Sequence, residues 1–376
     1  MKDKPDMKDV LELSLERGGS ISLSVGEPGF PTPKNVIEAT KSSLDSGATG
    51  YSDPAGLKDL RLAISEKLKK YNNIKVGYDR VMVTCGSSEG LFLATMAVMK
   101  NGDNALIPDP GFMDYSETVR LVGGSSRFIE LSREDFSIDM DLLRKSTDDR
   151  TRILFMNSPC NPTGTVMKKR DMEEIADFVN DKNIMIFSDE AYEKYLYDGE
   201  KHHSIGSLNG MEDKVVTFNT FSKTYSMPGF RIGYCSGPKN VIDKMCDIKF
   251  TTSVSLPVFL QRGSLEALKI PDSYIESTVS DFDSKRKFVV KRLGEIGFDF
   301  VDPKGAFYVF PKTLGGMSSW DFTKFLLENS GVMVVPGYIF GSSGEGYIRI
   351  SYANTMENLE AAMNNIEKSL KENSIV

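Results

Sequence analysis

The sequence is almost without histidine. Only His202 and His203 occur in 376 residues, and they are neighbours. A Ser-His-Asp triad or a zinc site of several histidines is hard to build from that, and no metal is expected. Cysteine is sparse too. Cys85, Cys160, Cys235 and Cys246 form no C-x-x-C pair, so buried, reduced thiols are expected. No apolar run reaches the ~18 residues of a membrane helix. The opening Met-Lys-Asp-Lys-Pro-Asp has no apolar signal core, so a cytoplasmic protein with no membrane partner is expected. Positive charge is in deficit: 46 Lys and Arg stand against 53 Asp and Glu, a net −7. That balance argues against nucleic acid as a partner and leaves room for a local basic pocket. No G-x-G-x-x-G follows a strand-like run, and no G-x-x-x-x-G-K-[ST] occurs. A dinucleotide-dependent oxidoreductase therefore has little support. Ser284 and Lys287 match S-x-x-K, but they sit in the charged run DSKRK and read as a solvated helix face.

What is present is ordinary globular composition, 40% apolar and 26% charged, with length for two or three domains. Short β-branched runs alternate with amphipathic stretches. Strands are expected at Arg80–Thr84, Ala105–Pro108, Arg152–Met156, Ile184–Ser188, Lys214–Asn219 and Arg231–Cys235. Helices are expected around Leu57–Leu68, Leu91–Met99 and Lys168–Asp181. This alternation implies crossovers and a mostly parallel sheet, with the ligand beyond the carboxyl ends of the strands. After Pro271 the pattern changes. A charged helix to about Ile296 precedes strand-like segments at Phe298–Val301, Phe307–Phe310, Val332–Val335 and Tyr347–Ser351. Helices at Ser319–Asn329 and Met356–Lys371 complete it. The expectation is an α/β large domain over 46–275 and a smaller α+β domain over 276–376, with the segment 1–45 packing on the small domain.

The chemistry concentrates after the strands. Lys223 lies among small hydroxyl residues between KVVTFN and the apolar run MPGFRIGY. Most lysines are solvated, but these flanks favour a buried one, which loses its proton easily and can form an imine with a carbonyl. Pyridoxal phosphate is the cofactor that uses such an amine. Its ring nitrogen needs a carboxylate, and Asp189 ends the strand IMIFS; a helix cap is the plainer alternative for it. Its phosphate needs backbone N–H groups and hydroxyls at a helix start. Gly86, Ser87 and Ser88 offer these, with Thr220, Ser222 and Arg231 able to add to them. Phe112 could supply a flat face for the ring, and Tyr192 and Asn161 could donate to the 3′-oxygen.

At this point the chain resembles the class I/II aminotransferases of pyridoxal phosphate fold type I, the aspartate aminotransferase-like group. The matching stretches run in order over residues 22 to 354: SVGEPGFPTP, YSDPAGLKDLR, VTCGSSEGLF, NSPCNPTG, SDEAYEKYLYDG, FSKTYSMPGFRIGY, GAFYVF and GYIRISYA. The resemblance implies a seven-stranded, mostly parallel sheet flanked by helices in the large domain. It makes Lys223 the imine-forming and proton-moving lysine, Asp189 the partner of the ring nitrogen, and Tyr192 and Asn161 the donors to the 3′-oxygen. Gly86, Ser87, Ser88 and Arg231 fall in the phosphate site. Arg349 matches the arginine that forks onto the substrate α-carboxylate, and Gly26 a glycine whose backbone lies beside the substrate. Tyr51 matches a tyrosine that reaches the phosphate of a neighbouring subunit, which implies a homodimer.

Four positions depart from the family pattern. Thr220 and Phe112 keep a hydroxyl and an aromatic face. Gly29 stands where many relatives carry Asp, and Ser88 where one aspartate-using branch carries lysine, which weakens a dicarboxylate-only specificity. The expected reaction is ping-pong transfer of an amino group from an L-amino acid, of aspartate, aromatic or alanine type, to a 2-oxo acid such as 2-oxoglutarate. A same-fold lyase carrying out β-elimination of a sulfur-containing substrate, or another amino-acid-processing enzyme such as a synthase-type one, is the alternative. A sensor domain is disfavoured, because the chain is read as beginning and ending with the enzyme core.

Overall fold

A computed structural model describes residues 5–16 and 19–376; residues 1–4, 17 and 18 of the expected N-terminal segment lie outside that range. The strands are β1 (Ile21–Ser22), β2 (Val81–Thr84), β3 (Asn104–Asp109), β4 (Ser125–Glu130), β5 (Thr151–Asn157), β6 (Met185–Asp189), β7 (Val215–Thr220), β8 (Gly233–Ser236), β9 (Tyr308–Val309), β10 (Val332–Met333), β11 (Val335–Pro336) and β12 (Ile348–Ser351). Seven of them form one sheet in the order β2-β8-β7-β6-β5-β3-β4. β8 runs antiparallel to both of its neighbours, and the other pairs are parallel.

Helices cover both faces of a parallel sheet, so its central strands read as continuous apolar runs. All six residues of β7 are buried. Phe155, Phe187 and Phe218 pack one against the next across β5, β6 and β7, with centroids 5.4 and 5.3 Å apart. Each such ring removed from water contributes about 1.5–3 kcal/mol. The carboxyl ends of three adjacent parallel strands, Asn157, Asp189 and Thr220, therefore meet at one rim.

The C-terminal part builds a smaller layer, the antiparallel sheet β11-β12-β9. The helices Asp272–Ile296, Ser319–Ser330 and Met356–Glu372 supply Phe282, Leu293, Phe322, Leu326, Met363 and Ile366 to its core. The chain start joins it. β1 pairs parallel to β10, and Val10 of the helix Met7–Glu16 packs on Leu327 and Met333. The helix Lys34–Asp45 instead lies against the helix Val258–Ala267, closely enough that a Cβ on Gly263 would come within 2.2 Å of Thr40 Oγ1.

Three local expectations need correction. Phe298–Val301 forms no strand. Phe298 packs edge-on to Phe322; its N–H donates to Leu293 O at 3.0 Å at the end of the preceding helix, and Asp299 O accepts the Lys312 N–H at 2.9 Å, so the run serves packing rather than a ladder. Val332–Val335 is not one strand: Val332–Met333 pairs with β1 and Val335–Pro336 with β12. The helix expected from Leu91 begins at Gly86, so the Gly-Ser-Ser segment is its first turn. All four cysteines are free thiols. Among the described residues no helix is long and apolar enough to cross a membrane.

Candidate active site

A cavity of about 300 Å³ opens at the carboxyl rim of the large sheet. Lys223 enters it from the short helix Phe221–Thr224, whose first turn is capped by Thr220: its Oγ1 accepts the Ser222 N–H at 3.1 Å. The Thr220 hydroxyl also bonds the Ser222 hydroxyl at 3.0 Å. Lys223 Nζ donates to Gly26 O at 2.5 Å and lies 5.8 Å from the ring centroids of Tyr192 and Phe307. Burial, reinforced by the Arg349 and Arg231 guanidiniums, lowers its pKa to about 8.

Asp189 closes the floor. Its Oδ2 accepts the Tyr115 hydroxyl at 2.9 Å and its Oδ1 the Ala191 N–H at 3.1 Å. Burial still raises its pKa to about 6, because no salt bridge to it exists among the described residues. A buried carboxylate with no counter-ion is costly unless a ligand supplies the cation.

On the opposite side Arg349, at 3% exposure, is fixed from below. Nη1 donates to Asn161 Oδ1 at 2.8 Å and Nη2 to Ser24 O at 2.6 Å, while the guanidinium stacks 4.4 Å over the Tyr308 ring. Its Nε has no partner among the described residues. The Tyr308 hydroxyl meets the Tyr192 hydroxyl at 2.8 Å, and burial keeps Tyr192 a neutral phenol, its pKa well above the ordinary value.

The third wall is the start of the helix Gly86–Val98. Gly86 has φ +70°, and a Cβ there would sit 2.7 Å from Arg231 Nη2. Arg231 itself holds the left-handed φ of +53°, which turns its side chain back to Pro228 O at 3.0 Å. Gly233 allows this wall to close, since its own Cβ would meet Gly86 C at 2.5 Å and Ser87 N at 2.6 Å. Backbone N–H groups, hydroxyls and a guanidinium thus converge at a helix N-terminus, a ready anion site.

Gly26, Gly86, Ser87, Ser88, Phe112, Asn161, Asp189, Tyr192, Thr220, Ser222, Lys223, Arg231 and Arg349 all line this one cavity. Tyr51 does not; it lies outside, 86% exposed. Tyr308, Asn157 and Ser24 also line it, and Tyr115 supports Asp189 from outside it; these four carry no role in the sequence reading. Three of them stood in quoted stretches: Ser24 opens SVGEPGFPTP, Asn157 opens NSPCNPTG and Tyr308 lies in GAFYVF. The donor set suits pyridoxal phosphate: a low-pKa amine, an unpaired buried carboxylate and an anion cradle that a single methyl would fill.

The family model described as aminotransferase class I and II matches residues 19–366. The chain is a class I/II aminotransferase. It is 41% identical to the aspartate aminotransferase of Pyrococcus abyssi, over 98% of this chain and 96% of that one. It is 40% identical to aromatic-amino-acid aminotransferase 2 of Thermococcus litoralis, over 100% of this chain and 98% of that one. The solved aromatic aminotransferase of Pyrococcus horikoshii superposes with a TM-score of 0.93 at 42% identity, covering 97% of this chain and 100% of its own. Members of this family depend on pyridoxal phosphate.

Proposed function

We propose that this aminotransferase holds pyridoxal phosphate at Lys223 and moves the amino group of an aspartate-type or aromatic L-amino acid to a 2-oxo acid, 2-oxoglutarate by family habit. The reading rests on one observation: an amine with a pKa near 8 and a carboxylate with a pKa near 6 share one cavity, each shifted towards its neutral form by burial. Bound there, the cofactor supplies an aldehyde that takes up the amino group and a cationic ring that delocalises the electrons left when the Cα proton departs.

The chain's own residues do the rest. Arg349, stacked on Tyr308, forks onto the α-carboxylate and fixes which face of Cα meets Lys223. Lys223, whose free amine becomes available around pH 8 instead of 10.5, would accept the Cα proton at Nζ and return it to the 4′-carbon of the cofactor. Asp189 would hold the ring nitrogen as its anion. Tyr192 and Asn161 would donate to the 3′-oxygen, and Phe112 would offer its face to the ring. Gly86, Ser87, Ser88, Thr220, Ser222 and Arg231 bind the phosphate. Tyr51 completes the phosphate site of a second copy, so the working unit is a homodimer. The division at residues 45/46 and 275/276 separates the cofactor-binding part from the part that brings Arg349. A lyase reading has no observation in its favour.

The substrate reading draws on relatives named for aspartate and for aromatic amino acids at nearly equal identity. Met7, Val25 and Met113 give the cavity apolar wall, and its other cations, Lys223 and Arg231, have assigned tasks. A panel of the twenty amino acids with 2-oxoglutarate tests this: aspartate or the aromatic residues should give the highest kcat/KM. Ammonia released without an acceptor would overturn it.

A further inference from the structure

Behind the turn that carries Asp189 and Tyr192 lies a second set of buried charges that the proposed chemistry does not use. Asp189 and Tyr192 line the cavity. Glu190 and Glu193, from the same turn, bond elsewhere. Asn72 Nδ2 donates to Glu190 Oε2 at 2.9 Å and to Glu193 Oε2 at 2.7 Å. Lys67 Nζ donates to Asn72 Oδ1 at 2.9 Å and forms a close ion pair with Glu193. Glu190 Oε1 accepts the Ser188 hydroxyl at 3.0 Å and the Ser204 hydroxyl at 2.5 Å, and His202 Nε2 lies 2.8 Å from Glu190 Oε2. Lys67, Asn72, Glu190 and Glu193 are all buried.

Glu190, Glu193 and His202 bring ligand-type atoms within 4.8 Å of one another, a spacing that invites a metal. The Lys67 ammonium already sits among them, so the cation is supplied by the chain. Glu193 pairs with Lys67 and Glu190 with the His202 ring, so the set balances when His202 is protonated. Burial opposes that charge, and the Glu190 carboxylate beside it outweighs burial and raises the His202 pKa. Burial likewise works against Glu193, yet Lys67 and His202 hold its pKa below the usual value. Lys194, His203 and the phenols Tyr225 and Tyr234 are further titratable groups facing the cluster; Lys67 lies 5.7 Å from the Tyr234 ring centroid.

Buried ion pairs contribute little net stability beside apolar residues of the same volume, but they hold one geometry. Here the geometry is that of a turn with few free bonds. Glu190 N donates to Phe218 O at 2.8 Å and Glu193 N to Glu190 O at 3.1 Å. Any shift of Glu190 or Glu193 rotates the peptides that carry Asp189 and Tyr192. We propose that Lys67, Asn72, Glu190, Glu193 and His202 form a charge-balanced clamp that positions Asp189 and Tyr192 from behind; this rests on the reading of the cavity given above. These are positioning residues and touch no substrate.

The test uses holoenzyme reconstituted with pyridoxal phosphate. Wild type, Lys67→Met, Glu193→Gln and the double variant are compared by pH titration of the visible absorbance, by kcat and KM, and by melting temperature. Each single variant should move the absorbance midpoint by about half a pH unit and lower kcat about tenfold with KM within about threefold. The double variant, which restores balance, should recover part of both. Glu193→Gln keeps its shape and decides the matter if Lys67→Met does not fold. Single variants that melt lower but keep the wild-type midpoint and kcat would overturn the clamp alone. Wild type that takes up no pyridoxal phosphate would overturn the cavity reading and the clamp with it.

Discussion

The Tyr115 hydroxyl donates to Asp189 Oδ2 at 2.9 Å, and Tyr115 is itself locked by stacking on Phe155 at 4.7 Å with an interplanar angle of 18°. A buried carboxylate is thereby held by this hydroxyl and the Ala191 N–H, with no cation among the described residues. Tyr115→Phe keeps the packing and removes that donor. A hydrogen bond to a charged group contributes about 1.5–3 kcal/mol, so the Asp189 pKa should rise above about 6 by roughly one unit or more. At pH 7 kcat should fall about twofold for one unit and about tenfold for two, and the acid limb of the kcat profile should move upward. An unchanged limb would show that Asp189 is not the group that must be ionised.

The same carboxylate has a cost in the cofactor-free protein. Its folded pKa of about 6 exceeds the ordinary 3.8, so between these values the folded state binds more protons than the unfolded one. Stability therefore falls as pH rises through about 4 to 6, by up to about 3 kcal/mol, and stays lower above. Asp189→Asn should stabilise the apo form at pH 8 while abolishing turnover. Urea denaturation of both apo proteins checks this; a destabilised variant would contradict it.

Lys223 shows the opposite linkage. Its folded pKa of about 8 lies below the ordinary 10.5. The unfolded state holds more protons between these values, so this group's contribution grows as pH rises from about 8 to 10.5. In apo protein, acetylation at Lys223 should titrate near pH 8, well before the surface lysines, as read by peptide mass spectrometry. Lys223→Ala should lose at least about 10³-fold in kcat. Borohydride reduction of wild-type holoenzyme should fix the cofactor at this residue, and fixation elsewhere would refute the assignment.

Asp189 was legible because it ends an apolar strand, and Lys223 because it follows one directly, where a charge is conspicuous; Arg349 was read from the family resemblance alone. β4 was not legible: it is the sheet's edge, and only Ile129 of its six residues is buried. Phe298–Val301 misled for the converse reason, being apolar without a ladder partner. Tyr115 sits on the short helix Asp114–Leu121 and gains meaning only from Asp189, 74 positions away. Lys67 and Glu193 are 126 positions apart, and nothing local to either marks the pair. Sequence shows which side chains are unusual for their element; contacts between distant elements decide what they do.

Gly86 makes the anion cradle testable by addition. At φ +70°, alanine is strained, and its Cβ would meet Arg231 Nη2 at 2.7 Å. Gly86→Ala should weaken pyridoxal phosphate binding by about tenfold or more while pyridoxal, which lacks the phosphate, loses far less. Equal losses for both would locate the phosphate elsewhere. Fluorescence titration of apo protein provides the comparison.

Arg349 allows recognition to be separated from chemistry. Its Nη1 and Nη2 are held by Asn161 Oδ1 and Ser24 O, its face by Tyr308 at 4.4 Å, and its Nε has no partner among the described residues. Lysine would keep the charge but lose the planar fork and the stack. Arg349→Lys should therefore raise KM for amino acid and 2-oxo acid alike, about 10²-fold, since each carries the same α-carboxylate. Melting temperature and the cofactor absorbance should change little, because Asp189 and Lys223 keep their own partners. A substrate amide without the carboxylate should be turned over slowly and equally by both proteins. If the variant raised KM for only one of the two half-reactions, Arg349 would be reading a side chain rather than the group common to both substrates.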